Sequence, residues 1–547
     1  MTESPENGRR LARASAWMAL GTIASRLTGF LRLALLAWTI GTALDADLFN
    51  NANTIPNTLY ILVAGGVFNV VLVPQLVRAM RHDDDGGDAY AQRIITLGLM
   101  VLAAATVVLV LLVPLVLRLV FDGRLFTPEF ADQRASAELL MYLCMPQVFF
   151  YGAFVLVGQV LNARQRFGPM MWAPVVNNLV ACAIILIYLG TYGSANGTDG
   201  FTQTQALLLG LGSTAGIAVQ ALLLVPFLRQ AGFRYRPRFD LRGVGLGHTV
   251  RLGAWTLLFI VANNIAFITV NRLATRGTLD GAAEGESAGG AAVYEIGFLV
   301  SQVPHGVITV SLATAIIPML SAHAAAGQYG RMRLELARTL RLALAIVAPL
   351  AVAVLCLGTP AAAAISIGAL SDNHEVVGRT VAAFSVAMIA FTVHYLMLRG
   401  FYADEDTRTP FLIQVVVAAS NVAFALLLTR SAEPAQVAAL LALSYGLAYV
   451  VGAIVSVTVL SRRIGSIVDH DMVVFAGRLV LACAVAAAVM LAMVFLLGQG
   501  GLEADRPASA AAVTGMAGAT GAVGYIVAAK TLGMEQLGYL VTHLRRR

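Results

Sequence analysis

Long apolar runs, separated by short polar, Gly- or Pro-marked stretches, recur along this 547-residue chain from near Ala14 to near Leu532. Each run is about 20 residues or more, the length a helix needs to cross roughly 30 Å of hydrocarbon. The pattern predicts helices near 14–43, 55–79, 92–121, 137–162, 172–190, 205–229, 246–274 and 291–320, then near 338–368, 376–402, 410–429, 436–461, 473–498 and 508–532. That makes about fourteen spans in an all-α integral membrane protein, with no room for a soluble domain between them. An even number of spans returns the chain to its starting side. Lys and Arg collect on one side: 27 fall in the termini and the connections after even-numbered spans, eight fall on the other side, and two lie within the first span. Cytoplasmic loops are the Lys/Arg-rich ones, so both termini are read as cytoplasmic.

The first half repeats in the second at an offset of about 240 residues. Trp17 with Ser25-Arg26 matches Trp255 with Asn263-Asn264; Ile55-Pro56-Asn57 matches Val303-Pro304-His305; Val73-Pro74-Gln75-Leu76 matches Ile317-Pro318-Met319-Leu320. The loop NARQRFGP (162–169) resembles YADEDTRTP (402–410). Six spans per copy give the two copies the same orientation, hence two parallel lobes related by a pseudo-twofold axis along the membrane normal, a plan in which substrate binds between lobes that rock. The organisation follows: a cytoplasmic tail at 1–13, an N-lobe at 14–229, a cytoplasmic linker at 230–245, a C-lobe at 246–461, an accessory helix pair within 462–532 and a basic cytoplasmic tail at 533–547. The apolar run behind the tail is long, contains arginines and leads into further membrane sequence, which argues against a cleaved signal peptide.

Composition fits this picture: 58% of residues are hydrophobic, 12% are charged, and mean hydropathy is +0.78. A net charge of +7 could suggest a nucleic-acid partner, but the arginines sit in short loops beside apolar runs and report topology instead. Cys144, Cys182, Cys356 and Cys483 fall singly in separate apolar runs, without metal or redox spacing, and read as small buried hydrophobes. No Walker A loop or H-E-x-x-H occurs, and Lys530 is the sole lysine, so nothing points to ATP hydrolysis. The acidic runs Asp83-Asp84-Asp85 and Asp404-Glu405-Asp406 read as solvated loop charges, not metal sites. No cofactor is expected, and an ion or the membrane potential is left as the driving force.

The first span, SRLTGFLRLALLAWTIG, embeds Arg26 and Arg32 in apolar sequence. A charge at mid-bilayer costs roughly 2.5–3.5 kcal/mol on insertion scales and faces a bundle interior or aqueous cavity. Arginine's fork suits phosphate oxygens, so the pair implies an anionic, phosphate-bearing ligand. Snorkelling to the interface is the competing explanation, plausible for Arg26 and harder for Arg32, about 9 Å further along the axis. Six residues apart, the two point about 120° away from each other on a straight helix, and Gly29 is the position at which a bend would bring them together. The stretch DADLFNNANTIPN (45–57), with four asparagines and an intramembrane proline, reads either as cavity lining or as a capped helix start. In the second lobe, YEIGFLVSQVPHG (294–306) offers Glu295, Gln302 and His305, while Asn263, Asn264 and Asn271 are expected to face the space between lobes. Of these, Glu295 fits an interfacial position and His305 fits packing better than proton transfer.

SRLTGFLR (25–32), Asp47, IPN (55–57), GGVFNVVLVPQL (65–76), LNARQRFGPMMWAPVVNN (161–178) and FYADEDTRTP (401–410) together resemble the MurJ (MviN) family of lipid II flippases. The family belongs to the superfamily that also holds multidrug exporters and polysaccharide flippases. The resemblance implies fourteen helices and a lipid-linked anionic substrate, the undecaprenyl-diphosphate-linked peptidoglycan precursor lipid II. It also implies a bacterial plasma-membrane location among membrane lipids, with cell-wall synthesis and division proteins as partners. It carries the family's two first-helix arginines onto Arg26 and Arg32 and its acidic residue onto Asp47, with Asn57, Tyr60, Asn263, Asn264 and Gln302 completing the candidate substrate site. The chain departs from better-known members at Leu33, where they are acidic, and at Tyr60 and Leu299, where they carry arginines. An Ala/Arg-rich, nearly lysine-free composition suggests a divergent actinobacterial member. The rival readings are a polysaccharide-lipid or multidrug exporter of the same superfamily and a non-transporting membrane scaffold for cell-wall synthesis.

Overall fold

The computed structural model describes residues 5–62, 87–194, 196–240, 246–285, 288–504, 506–534 and 536. Among them every regular element is helical, as lipid requires, because a helix satisfies its backbone polar groups internally. Thirteen of these helical segments are long and apolar enough to cross a membrane. They correspond to thirteen of the fourteen runs read from the sequence. The remaining run, near 55–79, lies mostly outside the described residues, as do Asp83-Asp84-Asp85 and the end of the basic tail.

The residue contacts divide the chain into two compact units, 1–264 and 265–547. The first contains α1 (Pro5–Ile40), α2 (Leu44–Tyr60), α3 (Asp88–Leu111), α4 (Val113–Val120), α5 (Ala131–Cys144), α6 (Gln147–Ala163), α7 (Gly168–Tyr192), α8 (Gln203–Leu222), α9 (Leu224–Gln230) and the first part of α10 (Leu246–Glu284). Within it α1 packs on α7, α2 on α5 and α6, and α3 on α6. Glycines allow these approaches: a Cβ on Gly98 would meet Leu156 at 2.6 Å, and one on Gly152 would meet Leu102 at 2.3 Å. Such small-residue contacts are how helices gain van der Waals packing in a solvent as apolar as their own side chains.

Residues 231–240, expected to be part of a linker between lobes, have no regular structure but are strapped along the start of α3. Asp240 pairs with Arg93 at 2.6 Å, Thr96 Oγ1 accepts from the Arg238 amide at 3.0 Å, and Gln92 donates to the Arg234 carbonyl at 3.1 Å.

The second unit contains the rest of α10, α11 (Ala291–Pro304), a π-turn (His305–Thr309), α12 (Val310–Ala325), α13 (Tyr329–Ala364), α14 (His374–Ala383), α15 (Ser385–Ala403), α16 (Arg408–Leu428), α17 (Val437–Ile464), α18 (His470–Gln499) and α19 (Pro507–Thr531). Its largest apolar cluster gathers Leu336, Met397, Phe401, Leu460, Ala482 and Ala517. The last two helices pack on each other and on α13. Their alanines and glycines allow this: a Cβ on Gly521 would meet Met490 at 2.3 Å, and the Tyr525 hydroxyl donates to the Ala345 carbonyl at 2.7 Å. This is the small-residue packing expected of an accessory pair.

The internal repeat has a local structural counterpart. Gln165 (φ +59°) and Glu405 (φ +56°) are the non-glycine residues with left-handed backbone among the described residues, and they stand at the offset that relates the two halves. In the first, the Arg166 amide donates to the Leu161 carbonyl at 2.8 Å; in the second, the Asp406 amide donates to the Phe401 carbonyl at 3.0 Å. A left-handed non-glycine residue costs on the order of 1 kcal/mol, and these closing bonds at the helix ends offset it. The π-turn after Pro304 likewise has a partner in π-type backbone at Ile61-Leu62, shortly after Pro56.

Candidate functional site

In the first unit, α1 runs as one hydrogen-bonded helix through Gly29. That glycine, read from the sequence as a bending point, lies where α7 comes close: a Cβ there would sit 3.4 Å from Asn178 Nδ2. The same Nδ2 donates to the Ser25 carbonyl at 3.1 Å and to Thr28 Oγ1 at 3.2 Å. A turn and more further down, Trp17 stacks on Trp172 with centroids 4.8 Å apart. These contacts fix the rotation of α1 on α7, and with it the direction of the two arginines.

Arg26 is exposed and Arg32 is half-buried. Neither has a hydrogen bond or ion pair with another described residue. Arg32 lies about 12 Å inside the far end of α1, near enough to Tyr151 on α6 and Cys182 on α7 for its charge to act on both. Tyr151 in turn stacks on Tyr60 of α2, centroids 6.1 Å apart. The Tyr60 hydroxyl is buried without a hydrogen-bond partner among the described residues, as is Gln147 Oε1, one turn before Tyr151. Gln147 Nε2 donates to Asn53 Oδ1 at 3.3 Å. Three helices therefore converge a guanidinium, two phenols and two amides on one region of the first unit. Orphaned buried polar atoms are costly, and here they flank Tyr151, which the charge of Arg32 reaches. Sequence reasoning missed Tyr151 and Gln147; their signal was polar residues inside the apolar stretch PQVFFYGAFVLVGQ.

Asp47 is wholly buried, and Asn51 Nδ2 donates to its carbonyl at 2.9 Å; Asn57 is half-buried on the same helix. Asp45, the second residue of α2 and outside the candidate spans, is buried against the 196–201 loop and accepts from the Gly200 amide at 2.8 Å. Burial pushes its carboxyl up to about 6, the Gly200 bond opposes this, and Asp199 adds to it. Asn196 Oδ1 accepts from the amides of Thr42 and Ala43, each at 2.9 Å, and so anchors the turn between α1 and α2.

The other predicted residues are placed on their own helices. Asn263 and Asn264 turn back on their own helix, donating to the carbonyls of Phe259 at 3.1 Å and Ile260 at 2.9 Å. Gln302, in the second unit, is half-buried. His305 is buried between Phe391 and Tyr395, with centroids 4.4 and 4.7 Å away, as a packing residue would be. Arg399, which carries no mark in the sequence, lies with its guanidinium 4.0 Å from the Tyr395 ring, its Nε buried and without a hydrogen bond among the described residues. The loop acids at 404–406 are more than solvated charges. Asp406 accepts from the Thr409 amide at 2.9 Å and pairs with Arg463 at 2.6 Å, while Asp404 accepts from the Tyr329 hydroxyl at 3.3 Å. Of the four cysteines, Cys144, Cys182 and Cys483 are buried, as expected, whereas Cys356 is only half-buried.

Comparison with known proteins bears on the family and the fold. The profile of the family described as "Lipid II flippase MurJ" matches residues 36–502. The chain belongs to the MurJ family. MurJ relatives include a probable lipid II flippase MurJ of Rhizobium meliloti, 28% identical over 437 residues, covering 78% of this chain and 77% of that protein. A probable lipid II flippase MurJ of Haemophilus influenzae is 25% identical over 422 residues, covering 74% and 78%. Among solved structures, a lipid II flippase MurJ in an inward closed conformation superposes with a TM-score of 0.71 at 15% identity, over 95% of this chain and 99% of that one. An inward-facing multidrug resistance MATE family transporter gives 0.61 at 14% identity, over 80% and 94%. These two show a shared fold. The MurJ match contains Asp47, Asn57, Tyr60, Asn263, Asn264 and Gln302, whereas Arg26 and Arg32 lie just upstream of it.

Proposed function

We propose that this chain flips lipid II, moving the undecaprenyl-diphosphate-linked precursor from the cytoplasmic to the outer leaflet by alternating access, with both termini cytoplasmic. The match to the MurJ family over most of the chain carries this reading. Translocation makes and breaks no covalent bond. The headgroup enters the protein while the polyprenyl tail stays in lipid, because withdrawing the tail would expose its apolar surface to water. Arg32 engages the diphosphate through two parallel N–H donors, with Tyr60 and Tyr151 offering hydroxyls beside it. Tyr60 stands where better-known members carry an arginine, and its buried, unpartnered hydroxyl supplies a neutral donor in that place. Depleting the protein in its host and probing intact cells for lipid II exposed at the surface tests the reading. Loss of surface lipid II with accumulation inside is expected; unchanged surface lipid II would refute it.

A further inference from the structure

At one end of the second unit a cavity of about 290 Å³ is lined by Arg341 of α13, His470, Asp471 and Arg478 of α18, and Gly533 and Gln536 beyond α19. Its geometry follows from the packing of three helices. The Tyr525 bond to the Ala345 carbonyl holds α13 and α19 face to face, and Arg341 lies one turn before Ala345, on the same face. About two turns past Tyr525, α19 ends at Gly533 in left-handed backbone (φ +69°), closed by the Met534 amide donating to the Ala529 carbonyl at 2.9 Å. Arg478 Nη1 donates to the Gly533 carbonyl at 3.1 Å. His470 and Arg478, eight residues apart, share one face of α18.

We propose that this cavity binds the phosphate of an anionic phospholipid from the cytoplasmic leaflet. Two guanidiniums face a single carboxylate, so the lining keeps a positive balance. Arg478 uses one of its five donors on Gly533, and Arg341 makes no hydrogen bond or ion pair with another described residue, which leaves fork donors for phosphate oxygens. The arginine asymmetry of the loops sets the starts of α13 and α18 and the end of α19 at the cytoplasmic face, where anionic lipids meet basic pockets between helices. Apolar surface is exposed further along the same helices: Leu481, one turn past Arg478 on α18, is 57% exposed, and Val527 on α19 is 54% exposed. Headgroup-level cations next to acyl-level hydrocarbon match a lipid and not a soluble anion. Arg478 as a cap on α19 and Arg341 as an interfacial charge would give no preference for an anionic over a zwitterionic lipid, which is what the test separates.

The test uses the full chain in phosphatidylcholine nanodiscs, with native mass spectrometry of retained lipid as phosphatidylglycerol is titrated in and glycerol 3-phosphate is offered as competitor. Wild type should retain phosphatidylglycerol over phosphatidylcholine without competition from glycerol 3-phosphate. R341Q/R478Q should weaken that retention about thirtyfold, the effect of two cations near an anionic surface, and R236Q/R462Q, two cytoplasmic arginines elsewhere, should leave it intact. R341Q alone, which leaves the α19 cap in place, should lose part of it and guards against a folding failure of the double variant. Equal retention of the two lipids, or unchanged retention in both R341Q and R341Q/R478Q, overturns the proposal. Effective competition by glycerol 3-phosphate overturns the lipid as the source of the phosphate.

Discussion

Replacing Arg32 separates a ligand contact from a structural one. The side chain is half-buried and unpaired among the described residues, so Arg32→Ala breaks no ion pair seen in the structure. It also removes a charge that costs roughly 2.5–3.5 kcal/mol at mid-bilayer on insertion scales. The variant should therefore insert and accumulate as well as wild type. Its loss falls on the substrate. Two charge-assisted hydrogen bonds to a diphosphate, at about 1.5–3 kcal/mol each, sum to about 3–6 kcal/mol, or roughly 10²- to 10⁴-fold in affinity. Arg32→Lys keeps a point charge without the fork and should retain part of the function. The assay is complementation of a strain depleted of its own flippase, with membrane abundance and surface lipid II measured in the same cells. Arg32→Ala at normal abundance that supports growth with normal surface lipid II would show that Arg32 does not hold the diphosphate, and the reasoning from α1 would fail.

Asn178→Ala removes two of the hydrogen bonds between α1 and α7; the melting temperature of the purified protein should fall by the equivalent of about 1–2 kcal/mol, and an unchanged midpoint would deny Asn178 that role. Asp406→Ala leaves Arg463 without its carboxylate and α16 without its Thr409 contacts. Because Arg463 is partly exposed, the expected cost is only about 1–2 kcal/mol, and Asp406→Asn, which can still accept from Thr409, should cost less on the same melting assay. For Asp45 the folded carboxyl titrates near 6 against an ordinary 3.8. A raised value stabilises the fold fully below the ordinary one and loses that contribution as pH climbs through about 6. Melting temperature should accordingly rise as pH is lowered from 7.5 to 5. Asp45→Asn should flatten that part of the profile, and superimposable profiles would contradict the buried-carboxyl account.

The spans were legible because crossing lipid imposes a long apolar run on each helix, and the repeat because loops such as 162–169 and 402–410 keep the residues that close a helix end. What could not be read was which polar residues meet. Asn178 finds Gly29 and Thr28 about 150 positions away in sequence, and Tyr151 joins Arg32 to Tyr60 across three helices; such pairings depend on helix rotation, which an apolar run does not specify. Arg399 stands near a helix end, where snorkelling arginines are ordinary, and nothing in the sequence marks the stacking on Tyr395 that buries part of it. Asp406 was read as solvated because a loop acid carries no mark of the Arg463 that reaches it from α17.

The most direct test of the central claim is transport by the isolated protein. Purified full-length chain reconstituted into liposomes carrying lipid II would be assayed for the rate at which headgroups in the inner leaflet become accessible to an impermeant probe outside. Wild type should expose the inner pool faster than protein-free liposomes and than liposomes holding Arg32→Ala at equal density. Wild-type rates indistinguishable from protein-free liposomes, with the protein folded and inserted in both orientations and each available driving ion and membrane potential imposed in turn, would contradict flippase function.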